Sequence, residues 1–503
     1  MSLRPTYRHP REAEYRAPGG PWRVPDLDTL LSSRSPDRET TDRAGRLAAG
    51  LRARGVRRRD VVAWQLPNWP EAMVLYRACW RLGAVAAPFH HRAGAAEVAR
   101  MVDLLEPTVC LAGPDAPLAE VGGAISVRSD DRDFDHLTEG QPHEAGMARP
   151  SDLAAVLFTS GSTGEPKAVL HTHRGLAHKA LTMVDVHGLG PDDAVLMPAP
   201  LAHISGLLNG VLVPGAAGMR TVLMDKWDPA VALGLIEEHR VSFMIGPPAL
   251  YTGMVAEPSF DRSRVSSLRV ISTGAMGVTP EFVAQAHEAF GAFVKRSYGS
   301  TEAPTVATTP RDGDAAHARD TDGRAVGQAE IRVVDPERRR DRQPGEVGEV
   351  WVRGPELFVG YADAGHTREA THRGWFRTGD LGVLDTGGWL TIVGRIKELI
   401  IRGGENVAPA EVERALEAHP AVRQAVVVGY PDEHLGERVA AFVVGDGDFD
   451  LERCQTWFER QGVARYKTPE QVVVVPALPE LGAGKPDRAA LARRAADAFG
   501  SGA

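Results

Sequence analysis

Residues 61 to 89 read VVAWQLPNWPEAMVLYRACWRLGAVAAPF. VVAWQL has the length and β-branched start of a buried strand, Glu71 to Leu82 places its apolar residues at helical spacing, and AVAAPF is again strand-like. Strand, helix and strand within one short stretch form a βαβ unit and imply a mostly parallel sheet. The pattern extends in both directions. Ala44 to Arg54 is an amphipathic helix ahead of it. TVCLA, AAVLF, AVLMP, TVLM, VSFMI and LRVIST follow as strands, with Pro229 to His239 and Pro280 to Phe290 as helices.

At 503 residues the chain exceeds a single compact core, so more than one domain is expected. After about residue 320 the texture changes to short runs separated by Asp-Pro and Pro-Gly turns, from Gln328 to Tyr361, which reads as an antiparallel section. A second change comes at IVGRIKELIIRGGENVAPAEVE, beyond which lie a helix from Pro409, strands AVVVGY, RVAAFVV and QVVVV, and a last Ala/Arg-rich helix. The fold class expected is α/β, with mostly parallel sheets flanked by helices in a large domain (1–395) that ends in a distorted antiparallel section, then a small α+β domain (396–503).

Composition sets the outer limits. The residues are 43% hydrophobic and 25% charged with a formal charge of −8, which argues against general nucleic-acid binding because phosphate contacts need clustered Lys and Arg. Three scattered cysteines without a C-x-x-C pair indicate neither a disulfide framework nor a zinc site. The histidines His90, His91, His171 and His173 lack carboxylate or cysteine partners at ligand spacing, so a metal reading is set aside. The first residues hold no apolar signal core and no later run reaches transmembrane length, so the expectation is a cytoplasmic protein without a membrane span.

Behind AAVLF comes FTSGSTGEPK, residues 158 to 167. Gly161, Gly164 and Lys167 are spaced G-x-x-G-x-x-K, which differs from the common G-x-x-x-x-G-K-[ST] nucleotide loop. Its physics is similar, since glycines let successive N–H groups converge on an anion, Thr159, Ser160, Ser162 and Thr163 add hydroxyls, and Lys167 adds charge. Taken by itself the cluster reads equally as a surface turn.

Six further motifs follow in fixed order: PLAHISG from Pro200, SLRVISTGA from Ser267, YGSTE from Tyr298, GWFRTGDLG from Gly374, GRIKELIIRGGENVAPAEVE from Gly394 and GAGKPDR from Gly482. Together with FTSGSTGEPK this set resembles the adenylate-forming superfamily, which includes acyl-CoA and aryl-CoA ligases, carrier-loading adenylation domains and luciferases. The resemblance runs from about Arg43 to Arg488. It implies ATP, Mg2+ and CoA as cofactors, and a two-step reaction through an acyl adenylate.

By that resemblance, Thr159 to Gly164 and Lys167 contact phosphate, and Tyr298 lies beside adenine. Gly274, Ala275, Gly299 and Ser300 complete the nucleotide set. Thr301 binds the α-phosphate and Glu302 the magnesium ion. Asp380 and Arg395 hold the ribose, Lys397 is the hinge of a mobile small domain, and Lys485 is the catalytic lysine. His203 gates the passage between ATP and acid. The acid pocket is expected from His203, Ile245, Gly246, Pro247, Gly274, Ala275, Met276, Ala303 and Pro304, whose small uncharged character points to an aryl, alicyclic or medium-length acyl group.

Gly403 and Gly404 would let a pantetheine arm pass close to backbone, which favours CoA. Carrier-protein thiols, amines, nitrite activation for aryl diazotisation and a degenerate nucleotide-binding protein remain as alternatives, and a homodimer is left open. Ala168 stands where the family usually has glycine, and its methyl would restrict a positive φ there.

Overall fold

The computed structural model describes residues 3–34, 37–128, 133–144, 146–160, 166–274, 278–445, 448–481 and 485–500, with Asp133, Ser160, Glu480, Leu481 and Lys485 described by backbone alone. The chain divides into two compact units. The first comprises Met1–Gly274, Pro280–Ile331 and Val352–Phe376; the second comprises Ala275–Thr279, Arg332–Trp351 and Arg377–Ala503.

The opening stretch forms the expected unit: β1 (Val61–Gln65), the helix Pro70–Leu82 and β2 (Val85–Phe89). Proline at its first turn and Gly83 in the left-handed region (φ 67°) delimit that helix. Its tryptophan and tyrosine are buried with their polar atoms satisfied. Trp80 donates to the Ala154 carbonyl at 3.0 Å and Tyr76 to that of Leu201 at 2.7 Å. The preceding helix is Arg38–Ala53, longer than expected because its first turn, RETTDR, is polar and has no apolar periodicity; the Asp37 carboxylate caps it by accepting from Thr40 N–H.

With β3 (Val109–Ala112), β4 (Ile125–Ser126), β5 (Leu153–Ser160) and β6 (Pro166–Thr172), these strands make a six-stranded sheet in the order β4-β3-β1-β2-β5-β6. It is parallel except for β6, which turns back on β5 as an antiparallel hairpin.

The second sheet contains β7 (Ala194–Met197), β8 (Arg220–Leu223), β9 (Phe243–Gly246), β10 (Val270–Thr273), β11 (Phe293–Tyr298), β12 (Ala307–Thr308) and β13 (Arg324–Ala325), ordered β13-β12-β11-β10-β9-β7-β8. Strands β7 to β11 are parallel and the last two run antiparallel. The helices Pro229–His239 and Pro280–Phe290 fall where proline at the first turn and an apolar stripe placed them.

The antiparallel section follows as β14 (Glu330–Val334), β15 (Gly348–Arg353), β16 (Thr371–His372), β17 (Trp375–Leu384) and β18 (Leu390–Arg395). β17 gives its first two residues to the first unit, paired with β16, and the rest to the second, where it pairs antiparallel with β18.

The second unit continues with β19 (Ile400–Arg402), β20 (Glu405–Val407), β21 (Val422–Asp432), β22 (Gly436–Gly445) and β23 (Gln471–Val474), then β24 (Glu480–Leu481) and β25 (Lys485–Pro486). Strand alternation in β21 splits its side chains between two cores. Val427 packs with Val412, Leu416 and Phe458, whereas Val426 and Val428 pack with Phe442, Leu491 and Ala495 of the opposite layer.

Candidate active site

Four parallel strands of the second sheet, β7, β9, β10 and β11, end within a few residues of one level. Leu196 of β7 is opposite Met244 of β9, Gly246 is opposite Thr273 of β10, and Thr273 is opposite Arg296 of β11. The carboxyl edge of parallel strands is where open α/β sheets bind ligands, because the loops leaving it are free to vary. Here it releases four segments that carry predicted residues: Pro200 to His203, Gly246-Pro247, Gly274 and Gly299 to Thr305. Ala275 and Met276 lie outside the described residues.

The turn after β11 is pinned through its backbone. Ser300 and Ala303 exchange backbone hydrogen bonds of 3.0 and 3.3 Å. His171 lies 2.8 Å from the Thr301 carbonyl, Phe358 N–H donates to the Glu302 carbonyl at 2.9 Å, and the Lys179 ammonium donates to the Thr305 carbonyl at 3.1 Å. A carbonyl can only accept, so His171 carries its proton on Nε2. Burial pulls the His171 pKa down to about 4, against the opposing hydrogen bond, which keeps the ring neutral. Lys179 is itself buried and paired with Glu356 at 3.0 Å.

These bonds hold Thr305 at a φ of 37°, unusual for a β-branched residue. Gly299 is required by contact. A Cβ there would stand 2.3 Å from Thr305 N.

Thr301 and Glu302 are thereby fixed and buried. Glu302 accepts a 2.7 Å hydrogen bond from the Tyr361 phenol through Oε1. Burial first, then the Glu302 charge, raises the Tyr361 pKa far above the ordinary tyrosine range. Tyr361 lies against β6, bridged to Val169, with Ala362 N–H donating to the Ala168 carbonyl at 2.9 Å. Lys167 is the second residue of β6, opposite Thr159, and its ammonium lies 5.4 Å from the centre of the Tyr361 ring. Thus Lys167, Thr301 and Glu302 are brought together by one hairpin and one turn.

Gly161, Ser162, Thr163 and Gly164 lie outside the described residues, and Ser160 is described by its backbone alone. Ala168 corrects an expectation. It sits in extended β6 opposite Phe158, buried in the core, and not among the positive-φ residues, so its methyl restricts nothing there.

His203 precedes a helical run of unusual pitch: a short α turn Ile204–Gly206, a π-helix Leu207–Leu212 and a second α segment Val213–Ala217. Burial first, then the neighbouring His91 and His203, draws the His90 pKa down to about 4. Ile245 and Ala303 are buried, Gly246, Pro247 and Pro304 lie beside them in sequence, and none of the described pocket candidates is Lys, Arg, Asp or Glu.

In the second unit, Asp380 and Arg395 are directly opposite each other on β17 and β18, joined by a 2.8 Å ion pair. The Asp380 side chain is 6% exposed and that of Arg395 is 57% exposed. Lys397 lies exposed in a single 3₁₀ turn, Ile396–Glu398. Gly403 (φ 59°) and Gly404 (φ 86°) form the two-residue turn of the β19–β20 hairpin, a conformation that demands glycine regardless of any ligand. Lys485 opens β25, paired with Leu481 of β24; Gly482 to Gly484 lie outside the described residues.

Three residues escaped the sequence reading: His171, Lys179 and Tyr361. A signal for His171 was present. In KAVLHT, alternate residues Lys167, Val169 and His171 share one face of a strand, so the histidine faces as the lysine does.

A hairpin carrying Lys167 set beside a carboxylate-bearing turn after a parallel strand is the kind of edge at which α/β proteins bind ligands. The AMP-binding enzyme model matches residues 38–362, and the AMP-binding enzyme C-terminal domain model matches 411–485. The chain belongs to this family, and within it to the acyl-CoA synthetase branch of the adenylate-forming superfamily, as its motifs led us to expect.

The chain is 35% identical to a medium-chain fatty-acid–CoA ligase of Escherichia coli, covering 87% of this chain and 82% of that one. It is 34% identical to an indoleacetate–CoA ligase of Aromatoleum aromaticum, over 88% and 89%. Among solved structures, ATP-bound MatB from Rhodopseudomonas palustris matches with a TM-score of 0.87 at 30% identity, over 94% and 99% of the two chains. The expected α/β architecture with a large N-terminal and a small C-terminal part agrees with that match.

Proposed function

We propose that this chain is an AMP-forming ligase that activates an uncharged aryl, alicyclic or medium-length carboxylic acid and passes it to CoA in the cytoplasm. A carboxylate oxygen attacks the α-phosphorus of ATP and pyrophosphate leaves. The thiol sulfur of CoA then attacks the acyl carbon, AMP leaves and the thiol proton goes to solvent. Neither step needs a covalent enzyme intermediate, so positioning and charge neutralisation supply the rate.

The observation that carries this reading is the junction of Lys167, Thr301 and Glu302, built by the β5–β6 hairpin and the turn after β11. On this reading Thr159 to Gly164 and Lys167 contact phosphate and Thr301 the α-phosphate. Gly274, Ala275, Tyr298, Gly299 and Ser300 hold the adenosine, and Asp380 and Arg395 the ribose. Lys485 meets the charge that develops between carboxylate and α-phosphate. Lys397 is the hinge separating a domain of residues 1–395 from one of 396–503, and Gly403-Gly404 flank the pantetheine arm.

Glu302 suits Mg2+: it is a hard oxygen donor with one oxygen engaged by a neutral phenol. Among the described residues no group of three or more His, Cys, Asp or Glu forms a metal cage. An ion held by one carboxylate together with water and phosphate is the usual manner of Mg2+ binding. When bound, it would offset phosphate charge.

The absence of Lys, Arg, Asp and Glu among the described pocket candidates supports an acid with no second charge. Acid-dependent release of AMP and pyrophosphate across a chemically diverse panel, with CoA, a phosphopantetheinyl carrier or an amine as acceptor, tests the proposal. The expected result is adenylate formation with a neutral acid and a thioester only with CoA. ATP binding without AMP from any acid overturns it.

A further inference from the structure

Lys167 and Glu302 meet the same tyrosine at different points. The ammonium stands 5.4 Å from the centre of the Tyr361 ring, and the phenol donates to Glu302 Oε1 at 2.7 Å. The ring is not free to withdraw, because the Tyr361 backbone is bridged to Val169 and flanked by hydrogen bonds from Leu170 N–H to the Gly360 carbonyl (3.0 Å) and from Ala362 N–H to the Ala168 carbonyl (2.9 Å). Thr367 Oγ1 fixes the other side by accepting from Tyr361 N–H at 2.9 Å. The Glu302 backbone is held as firmly through Phe358.

An ammonium and a carboxylate that meet the same partly buried side chain attract each other. An ammonium paired with a carboxylate would reach the nucleotide with its charge already spent, and so would the carboxylate. The neutral, hydroxyl-tipped side chain that both of them meet gives each a weaker partner: a π face for the cation and one donor for the anion.

We propose that Tyr361 is a positioning residue that keeps Lys167 and Glu302 from pairing with each other and fixes the Glu302 carboxylate through one oxygen, leaving the second for a metal ion. This rests on the ligase reading. Phenylalanine at 361 keeps the spacer and removes the donor; leucine removes both the ring and the donor.

The test is ATP binding to the full chain by calorimetry, first without metal and then across a MgCl2 titration, alongside thermal melting. Tyr361→Phe is expected to raise the Mg2+ concentration that half-tightens ATP binding by about tenfold, the loss of one hydrogen bond to a charged group. Its affinity for metal-free ATP stays within about twofold of the parent. Tyr361→Leu weakens metal-free ATP about tenfold, because Lys167 falls onto Glu302; adding Glu302→Gln restores it to within about twofold.

A phenylalanine variant with the parent Mg2+ titration overturns the proposal, as does a leucine variant whose loss is not recovered by Glu302→Gln. If the leucine variants give no cooperative melt, the phenylalanine titration alone decides. An unmodified chain that binds no ATP overturns the ligase reading and takes this proposal with it.

Discussion

Glu302 in the first unit is buried, receives a phenol hydrogen bond and has its own carbonyl pinned by Phe358. Arg395 in the second unit is 57% exposed on the last residue of a strand, and Lys397 two positions on is exposed in a lone 3₁₀ turn. The candidate carboxylate of the first unit is built into a backbone network, whereas Arg395 and Lys397 of the second stand at a strand end and in a turn. Groups that serve every step can be fixed permanently. A residue proposed as a hinge, as Lys397 is, gains from backbone that can be re-aimed at a few residues.

The contrast can be broken most severely at Lys397. Lys397→Pro, which locks φ, is expected to abolish thioester formation while leaving acid-dependent pyrophosphate exchange largely intact; loss of both, or of neither, in paired half-reaction assays would erase the distinction between the units. Next in size is Lys485→Ala. A unit charge about 4 Å from its target at an effective dielectric near 20 contributes up to roughly 4 kcal/mol, so adenylation should slow by on the order of 10² to 10³. Thiolysis of preformed adenylate should barely change, and rapid-quench measurement of each step separates them.

Two glycines sharpen the comparison at a smaller scale. Gly299→Ala must displace Thr305 backbone 2.3 Å away, at a cost of about 1–3 kcal/mol, and should impair ATP binding with stability because Thr301 and Glu302 ride on that turn. Gly404→Ala meets nothing within 4 Å and only strains a φ of 86°, so a loss of about 1 kcal/mol in denaturant melts should leave ATP affinity unaltered.

An effect seen only as the pH falls concerns His171. Its pKa is about 4 when folded and near 6.5 when unfolded, so between those values the unfolded chain holds more protons. Its contribution is complete above pH 6.5 and declines as the pH falls toward 4, by at most about 1.4 kcal/mol per unit. His171→Gln should make the fall in unfolding free energy between pH 6.5 and 5 shallower by up to about that amount; an unchanged slope would show that the ring is not buried neutral.

Long elements with strong periodicity were readable from the sequence. Pro229–His239 and Pro280–Phe290 came out at their full extents because proline opens each and apolar spacing carries it through. The helix Arg38–Ala53 was read short because its first turn offers a cap and charges but no apolar face. The helix His173–His187 was not read at all. Its histidines and Lys179 interrupt the apolar pattern, although the fold buries several of them.

For the candidate site, motif order singles out Lys167, Glu302 and Asp380, but not the side chains that hold them. Tyr361 lies 59 residues from Glu302, and only folding places the phenol on the carboxylate. His171 lacks metal-ligand spacing, and its task in the fold, gripping a carbonyl 130 residues away, leaves no mark in the local sequence.

The wide turn Leu207–Leu212 that follows His203 accommodates more residues per turn than its neighbours. Deleting a single residue there would let the run from Ile204 to Ala217 close into an ordinary α-helix while the later side chains, Val213 among them, keep their bearing on the core. The same deletion in the regular helix Pro70–Leu82 would turn every later side chain by about 100°. The wide turn is therefore a place in the helical layers where the chain can lose a residue without turning a buried face outward.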